Sequence, residues 1–259
     1  MKLSENEQQR YSRHLQLPEI AETGQEKLKD SSVLIIGAGG LGGPLAYYLA
    51  AAGVGRLTLV DPDKLELSNL QRQILYSETD IGSYKVIAAQ KRLQRFNSNL
   101  EIKARPCRFE EQSAPEILKK ATPDIIVDAT DNFPSRLIIN RVALENKLPF
   151  VHGAVYRFEG QLALFSPLEG PCYSCLYPEL EKTPVAPQRV AGPAAVMPGI
   201  IATLQANEVI KYLLSIGRLL TGKLLTVDAL NLSFRKLTVN RLETCQVCQE
   251  IKPADHSSV

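Results

Sequence analysis

Val33-Leu34-Ile35-Ile36-Gly37-Ala38-Gly39-Gly40-Leu41-Gly42 decides the fold. The four aliphatic residues read as a strand buried on both faces, and the glycines behind them as a tight turn into a helix. Gly37, Gly39 and Gly42 fit G-x-G-x-x-G. In that pattern one glycine makes the turn, one admits a pyrophosphate to the backbone and one lets helix pack on strand. Free amides and the dipole at the helix N-terminus favour a phosphate. Alone, the pattern does not separate NAD, FAD and ATP.

Working outward, strands alternate with helices. The spacing predicts a helix over 40–52, with Leu45, Tyr48, Leu49 and Ala52 on its apolar side and Gly53 ending it. A strand over 56–60 ends in Asp61-Pro62-Asp63. An acid about 20 residues beyond the glycines is the ribose-binding position. A helix over 83–96, a short strand over 102–104 and a helix over 115–121 follow. The buried strand 124–129 runs into Thr130-Asp131-Asn132, then a helix over 133–145 and a strand over 149–155. This alternation predicts an α/β fold, a Rossmann-like doubly wound, mostly parallel sheet. Past Gly153, the stretches 156–166 and 223–239 read as a C-terminal antiparallel extension, with a long helix over 199–215 between them. Upstream, 4–16 reads as one helix, capped by Ser4 with Gln8 a turn further on. Its apolar positions are Tyr11, Leu15 and Leu17, and it holds the cluster Arg10-Tyr11-Ser12-Arg13. A second helix over 24–29 leads into the glycine strand. Five prolines between 178 and 198 predict an exposed mobile loop, and the polar tail 252–259 is expected to be disordered.

A net charge of +2 over 259 residues gives no basis for nucleic-acid or anionic-membrane binding. No apolar run approaches the roughly 18 residues of a membrane span. The start MKLSENEQQR is too polar for a signal peptide, so a cytoplasmic, reducing location is expected. There, paired cysteines point to metal rather than disulfides. Four of the five cysteines form two C-x-x-C pairs, Cys172/Cys175 and Cys245/Cys248. Four thiolates suit tetrahedral Zn2+, a structural zinc site with no position left for catalytic water. The metal would clip the C-terminal segment to the loop after Phe165. Cys107 reads as a packed free thiol.

Asn69, Arg72 and Lys85 follow strand two closely. A lysine at a helix N-terminus opposes the dipole, which a bound anion would relieve. The two cations Arg72 and Lys85, with Asn69, suit a triphosphate better than a dinucleotide. Asp131 stands just past a buried strand, where a carboxylate suits Mg2+ and equally suits a helix N-cap.

Together these residues resemble the MoeB/ThiF/HesA family, bacterial relatives of the ubiquitin-activating enzymes. The likeness runs from Arg10-Tyr11-Ser12-Arg13-His14 through G-x-G-G-L-G, Asp61-Pro62-Asp63, Ser68 to Gln73, Lys85 and Ala129 to Asn132 to the closing C-x-x-C. It implies an adenylyltransferase that joins AMP to the C-terminal Gly-Gly carboxylate of a small ubiquitin-like sulfur-carrier protein. Pyrophosphate is released, and the product serves sulfur transfer in molybdopterin or thiamine synthesis. The resemblance places Gly39, Gly40 and Gly42 around ATP, Asp61 and Asp63 on the ribose, Asn69, Arg72 and Lys85 on the phosphates, and Asp131 on magnesium. Arg13 would reach the neighbouring subunit's site in a homodimer. Residues 1–30 would then be an N-terminal helical segment serving dimer and ATP site, and 31–251 a single adenylation domain with a zinc clip. One departure stands out: Gln188 aligns where many members carry a cysteine. The enzyme would therefore stop at the acyl-adenylate and pass it to a separate sulfur donor. A different substrate, such as a peptide carboxylate or a tRNA nucleoside, is the alternative within the family, and an NAD-dependent oxidoreductase the alternative outside it.

Overall fold

A computed structural model describes residues 2–181 and 192–249. Gln188 and the tail 252–259 lie outside the described residues, as does the middle of the proline-rich stretch, 182–191.

The N-terminal helix is two pieces, α1 (Glu5–Arg10) and α2 (Ser12–Leu15), broken at Tyr11. Ser4 caps α1, but its partner is Glu7, not Gln8. The Glu7 carboxylate accepts from Ser4 N at 2.8 Å while Ser4 Oγ accepts from Glu7 N at 3.3 Å. Lys29 Nζ adds a third bond to Glu7, at 2.7 Å. Gln8 sits one residue too far along to reach back to the cap. The break has a cause in Tyr11, which turns into the core and accepts a bond from Asn97 Nδ2 at 3.1 Å. Leu17, expected on the apolar side, is exposed. Next comes α3 (Ala21–Asp30), three residues longer at its start than expected.

Strand β1 (Ser32–Ile36) leads through the glycine turn to α4 (Gly42–Ala52) and β2 (Arg56–Val60). After α5 (Lys85–Phe96) come β3 (Glu101–Arg105), α6 (Ala114–Ala121), β4 (Ile125–Asp128), α7 (Phe133–Glu145) and β5 (Phe150–Tyr156). The remaining elements are β6 (Glu159–Phe165), the short α8 (Tyr173–Leu176), α9 (Val196–Leu214), β7 (Lys223–Asp228) and β8 (Ser233–Thr238). The strands form one sheet in the order β3-β2-β1-β4-β5-β6-β7-β8. The first five run parallel, then β6 adds antiparallel to β5, β7 to β6 and β8 to β7. This is the doubly wound, mostly parallel sheet with a C-terminal antiparallel extension.

Period-two alternation sends β1 side chains to both faces. Val33 and Ile35 join the layer of α3, α4, α5 and α9, while Leu34 and Ile36 join that of α6, α7 and α8. With helices on both faces, an unbroken aliphatic run is the stable choice, each buried side chain contributing roughly 1.5–3 kcal/mol. Tyr48, expected on the apolar side of α4, is exposed instead. Gly53 ends α4 at φ +88°, and a Cβ there would lie 2.7 Å from Tyr11 Cζ. Helix α9 docks through Gln205, whose amide donates to Asp128 O at 2.9 Å in space left open by Gly153. The order of strand addition reverses between β1 and β4, so a crevice opens beyond their carboxyl ends. Among the described residues, no helix is long and apolar enough to cross a membrane.

Candidate active site and metal centre

A cleft of about 630 Å³ fills that crevice. One wall is the glycine turn. Gly37 adopts φ +96°, and a Cβ on Gly42 would strike Gly37 O at 1.9 Å. Gly42 is therefore a packing glycine, and it is Gly39 and Gly40 that face the cleft. Two side chains pin the turn. Asp61 Oδ2 accepts from Ala38 N at 2.7 Å, and Tyr76 Oη donates to Ala38 O at 2.6 Å. Asp61 Oδ1 takes Asp63 N at 2.8 Å. Burial pushes the Asp61 carboxyl above its usual range, against the pull of the Ala38 amide. A carboxylate accepts about four bonds, so Asp61 holds the turn and keeps acceptors for a ribose.

Lys85 is the first residue of α5, and its side chain is only 8% exposed. Its Nζ lies 2.9 Å from Asp63 Oδ2, the carboxylate itself being 61% exposed. In this state Asp63 supplies the anion that the lysine's placement demands. Arg72 also lines the cleft, donates to Ser68 O at 3.4 Å and makes no ion pair among the described residues. Its charge is available to a phosphate. Asn69 does not line the cleft. Its Oδ1 accepts from Glu66 N at 3.1 Å, closing the turn that precedes Arg72. Arg13 lies exposed on α2 and is not among the residues lining its own chain's cleft.

Asp131 lines the cleft from the loop between β4 and α7. The N-cap of α7 is Asn132, whose Oδ1 accepts from Ser135 N at 2.9 Å, so capping does not explain Asp131. The one bond recorded to its carboxylate comes from Asn132 Nδ2 at 3.4 Å. Its free lone pairs fit a magnesium ion, which takes one or two carboxylates beside phosphate oxygens.

Sequence reasoning missed the polar group behind this loop. Asp128, Arg136 and His152 are buried together, with Arg136 and Gln73 also lining the cleft. The sequence signal was a charged residue closing the aliphatic run of β4, where another apolar one is expected.

The four cysteines converge as predicted. Cys172 Sγ lies 3.8 Å from Cys175 and 3.7 Å from Cys245, and Cys175 lies 3.5 Å from Cys248. Ligands about 2.3 Å from a tetrahedral zinc stand about 3.8 Å apart, whereas a disulfide needs about 2.05 Å. The set fits a metal such as zinc. Leu144 of α7 packs against it, and Asn140 ties α8 to α7 through Tyr173 N (3.0 Å) and Ser174 Oγ (3.1 Å). Cys107 is a half-buried free thiol, its pKa raised by burial.

A family model described as the ThiF family matches residues 11–247. A sulfur carrier protein adenylyltransferase from Thermus thermophilus is 45% identical over 254 residues, covering 96% of this chain and 93% of that one. A SAMP-activating enzyme E1 from Haloferax volcanii is 40% identical, covering 93% and 88%. The crystal structure of E. coli MccB with ATP superposes with a TM-score of 0.78 at 26% identity, covering 92% of this chain and 74% of that one.

Proposed function

We propose, from the premise that this chain belongs to the ThiF family, that it is an ATP-dependent adenylyltransferase acting on a small ubiquitin-like sulfur-carrier protein. The carrier's C-terminal Gly-Gly carboxylate attacks the α-phosphorus of ATP. An acyl-adenylate forms and pyrophosphate leaves. One observation carries this reading: Arg72, Lys85 and Asp131 line one cleft with Gly39 and Gly40 at the sheet's switch point. A dinucleotide dehydrogenase has no use for two cations there. An ATP cut between its α- and β-phosphates does, because negative charge moves onto the departing pyrophosphate.

Gly39 and Gly40 let the nucleotide approach the backbone, and Asp61 accepts from its ribose. Arg72 and Lys85 bind the phosphates, with Asp63 releasing Lys85 as the anion arrives. Asp131 would hold Mg2+, which neutralises phosphate charge when bound. No side-chain nucleophile is needed, because positioning and charge neutralisation suffice. The four cysteines would hold a structural Zn2+, remote from the reacting atoms. A separate protein would donate the sulfur.

We assign the molecule to a homodimer in which Arg13 enters the partner subunit's cleft. Exposed Leu67 and Ile74 flank the turn that carries Arg72, and Ile81 and Tyr84 follow before α5. Apolar side chains of that size are costly to leave in water. A second exposed set, Leu230, Leu232, Phe234 and Leu237, lies on the β7–β8 hairpin and suits the carrier. The test is the intact mass of a Gly-Gly carrier after incubation with enzyme and Mg2+·ATP. The reading predicts an AMP adduct on the terminal glycine, absent from a carrier lacking Gly-Gly. An unmodified carrier, or an adduct that survives the truncation, contradicts it.

A further inference from the structure

Asp131 presents its carboxylate from an exposed loop with one weak side-chain bond, so its direction is set by the backbone beneath it. That backbone is organised by Asp128. Asp128 Oδ1 accepts from Thr130 N at 3.0 Å and from Thr130 Oγ1 at 2.6 Å, curling the chain as it leaves β4. Ala129 O is then packed against the glycine turn, 2.5 Å from where a Gly37 Cβ would lie. Arg136 Nη2 donates to Thr130 O at 3.0 Å and fixes the other side of the curl. Asp128 itself is fully buried, and its second oxygen faces His152 Nδ1 at 2.7 Å and Arg136 Nε at 3.9 Å. His152 Nε2 and Arg136 Nε have no hydrogen-bond partner, so the bond between His152 and Asp128 is the principal restraint on that oxygen.

We propose that His152 and Asp128 form a buried positioning pair that sets the Thr130–Asp131 turn, and through it the affinity of the cleft for magnesium-ATP. The inference rests on reading Asp131 as the magnesium ligand. His152 donates from Nδ1, which commits Asp128 Oδ2 and leaves Oδ1 to Thr130. The pair is braced from the metal centre's side. Tyr173, the residue between the first two metal-site cysteines, is fully buried with its ring edge-on to His152 at 5.0 Å. Without the His152 donor, a buried carboxylate loses its strongest compensation. It then turns toward Arg136 and releases Thr130. Partners that orient a metal ligand typically cost 10- to 100-fold in affinity when removed.

The test is titration of each folded variant with Mg2+·ATP by calorimetry, which needs no carrier and no turnover. His152→Leu removes the donor, and His152→Asn restores an N–H near the Nδ1 position. Thr130→Val cuts the same link from the cleft side. The pair predicts about tenfold weaker Mg2+·ATP binding for His152→Leu and Thr130→Val. It predicts His152→Asn within about threefold of wild type. Metal held by the four cysteines should be unchanged in all three. Wild-type affinity in His152→Leu or Thr130→Val, or His152→Asn no better than His152→Leu, overturns the proposal. Should His152→Leu fail to fold, Thr130→Val and His152→Asn decide alone by the same criteria. Wild-type protein that binds Mg2+·ATP but never adenylates a carrier would defeat the functional reading and leave the pair standing.

Discussion

Lys85 carries its charge at the positive end of a helix, nearly buried, with one exposed aspartate as partner. Both features cost energy in a protein that binds no anion there. Lys85→Met should therefore fold as well as wild type while its adenylation kcat/KM falls about 100-fold or more, the range for removing one preorganised charge. Normal activity in this variant would remove Lys85 from the site. His152 gives a second residue-scale expectation, from pH. Burial lowers its pKa below the ordinary 6.5 against the opposing pull of Asp128, and Arg136 adds to the lowering. Unfolded chains take up a proton on this residue below about 6.5 that the folded protein refuses, so its contribution to stability is present above that pH and lost as pH falls through it. Asp128, Arg136 and Tyr173 face the ring. Urea midpoints measured from pH 7.5 to 5.5 should decline more steeply in wild type than in His152→Asn, and parallel declines would contradict the assignment.

Elements differ in how openly the sequence displays them. The strands of the parallel half announce themselves because burial on both faces leaves room only for aliphatic runs, as in Val33 to Ile36. Gly53 was equally legible, since a left-handed cap against a tyrosine ring admits no side chain. The break at Tyr11 was not, because local propensity favours one continuous helix and a bond from distant Asn97 overrules it. The structural part of Asn69 was hidden for the same reason: its Oδ1 closes the turn that precedes Arg72. Asp128, Arg136 and His152 sit on three successive elements, β4, α7 and β5, and only the parallel register of β4 and β5 brings the first and last together. The four cysteines were legible as a set because two C-x-x-C pairs offer the four thiolates of a tetrahedral metal site. Replacing Cys245 by Ser should remove the metal from the purified protein and lower Tm by at least about 5 °C. Metal content near one per chain in that variant would dismiss the four-sulfur site. Gly42→Ala should abolish ATP binding, because its Cβ would fall on the Gly37 carbonyl.

At the scale of the molecule, one sheet serves two tasks. Its parallel half ends in the nucleotide cleft, and its antiparallel half extends to β8, an edge strand with Phe234 and Leu237 exposed. A dimer that shares Arg13 across its interface makes a distinctive demand. Arg13→Ala and Asp131→Ala should each be inactive as pure homodimers. After subunit exchange, the mixture should recover about a quarter of wild-type activity, since half the dimers then hold one complete cleft. No recovery would place Arg13 in its own chain's site or in none. The central claim is that ATP is here a reactant joined to a protein's terminal carboxylate. Isotope exchange between ATP and labelled pyrophosphate, with a Gly-Gly-ended carrier present, tests it most directly. The account predicts exchange that requires the carrier, is lost when its Gly-Gly is removed and is absent from Asp131→Ala. Exchange that is indifferent to the tail, or none with any such carrier, would contradict it.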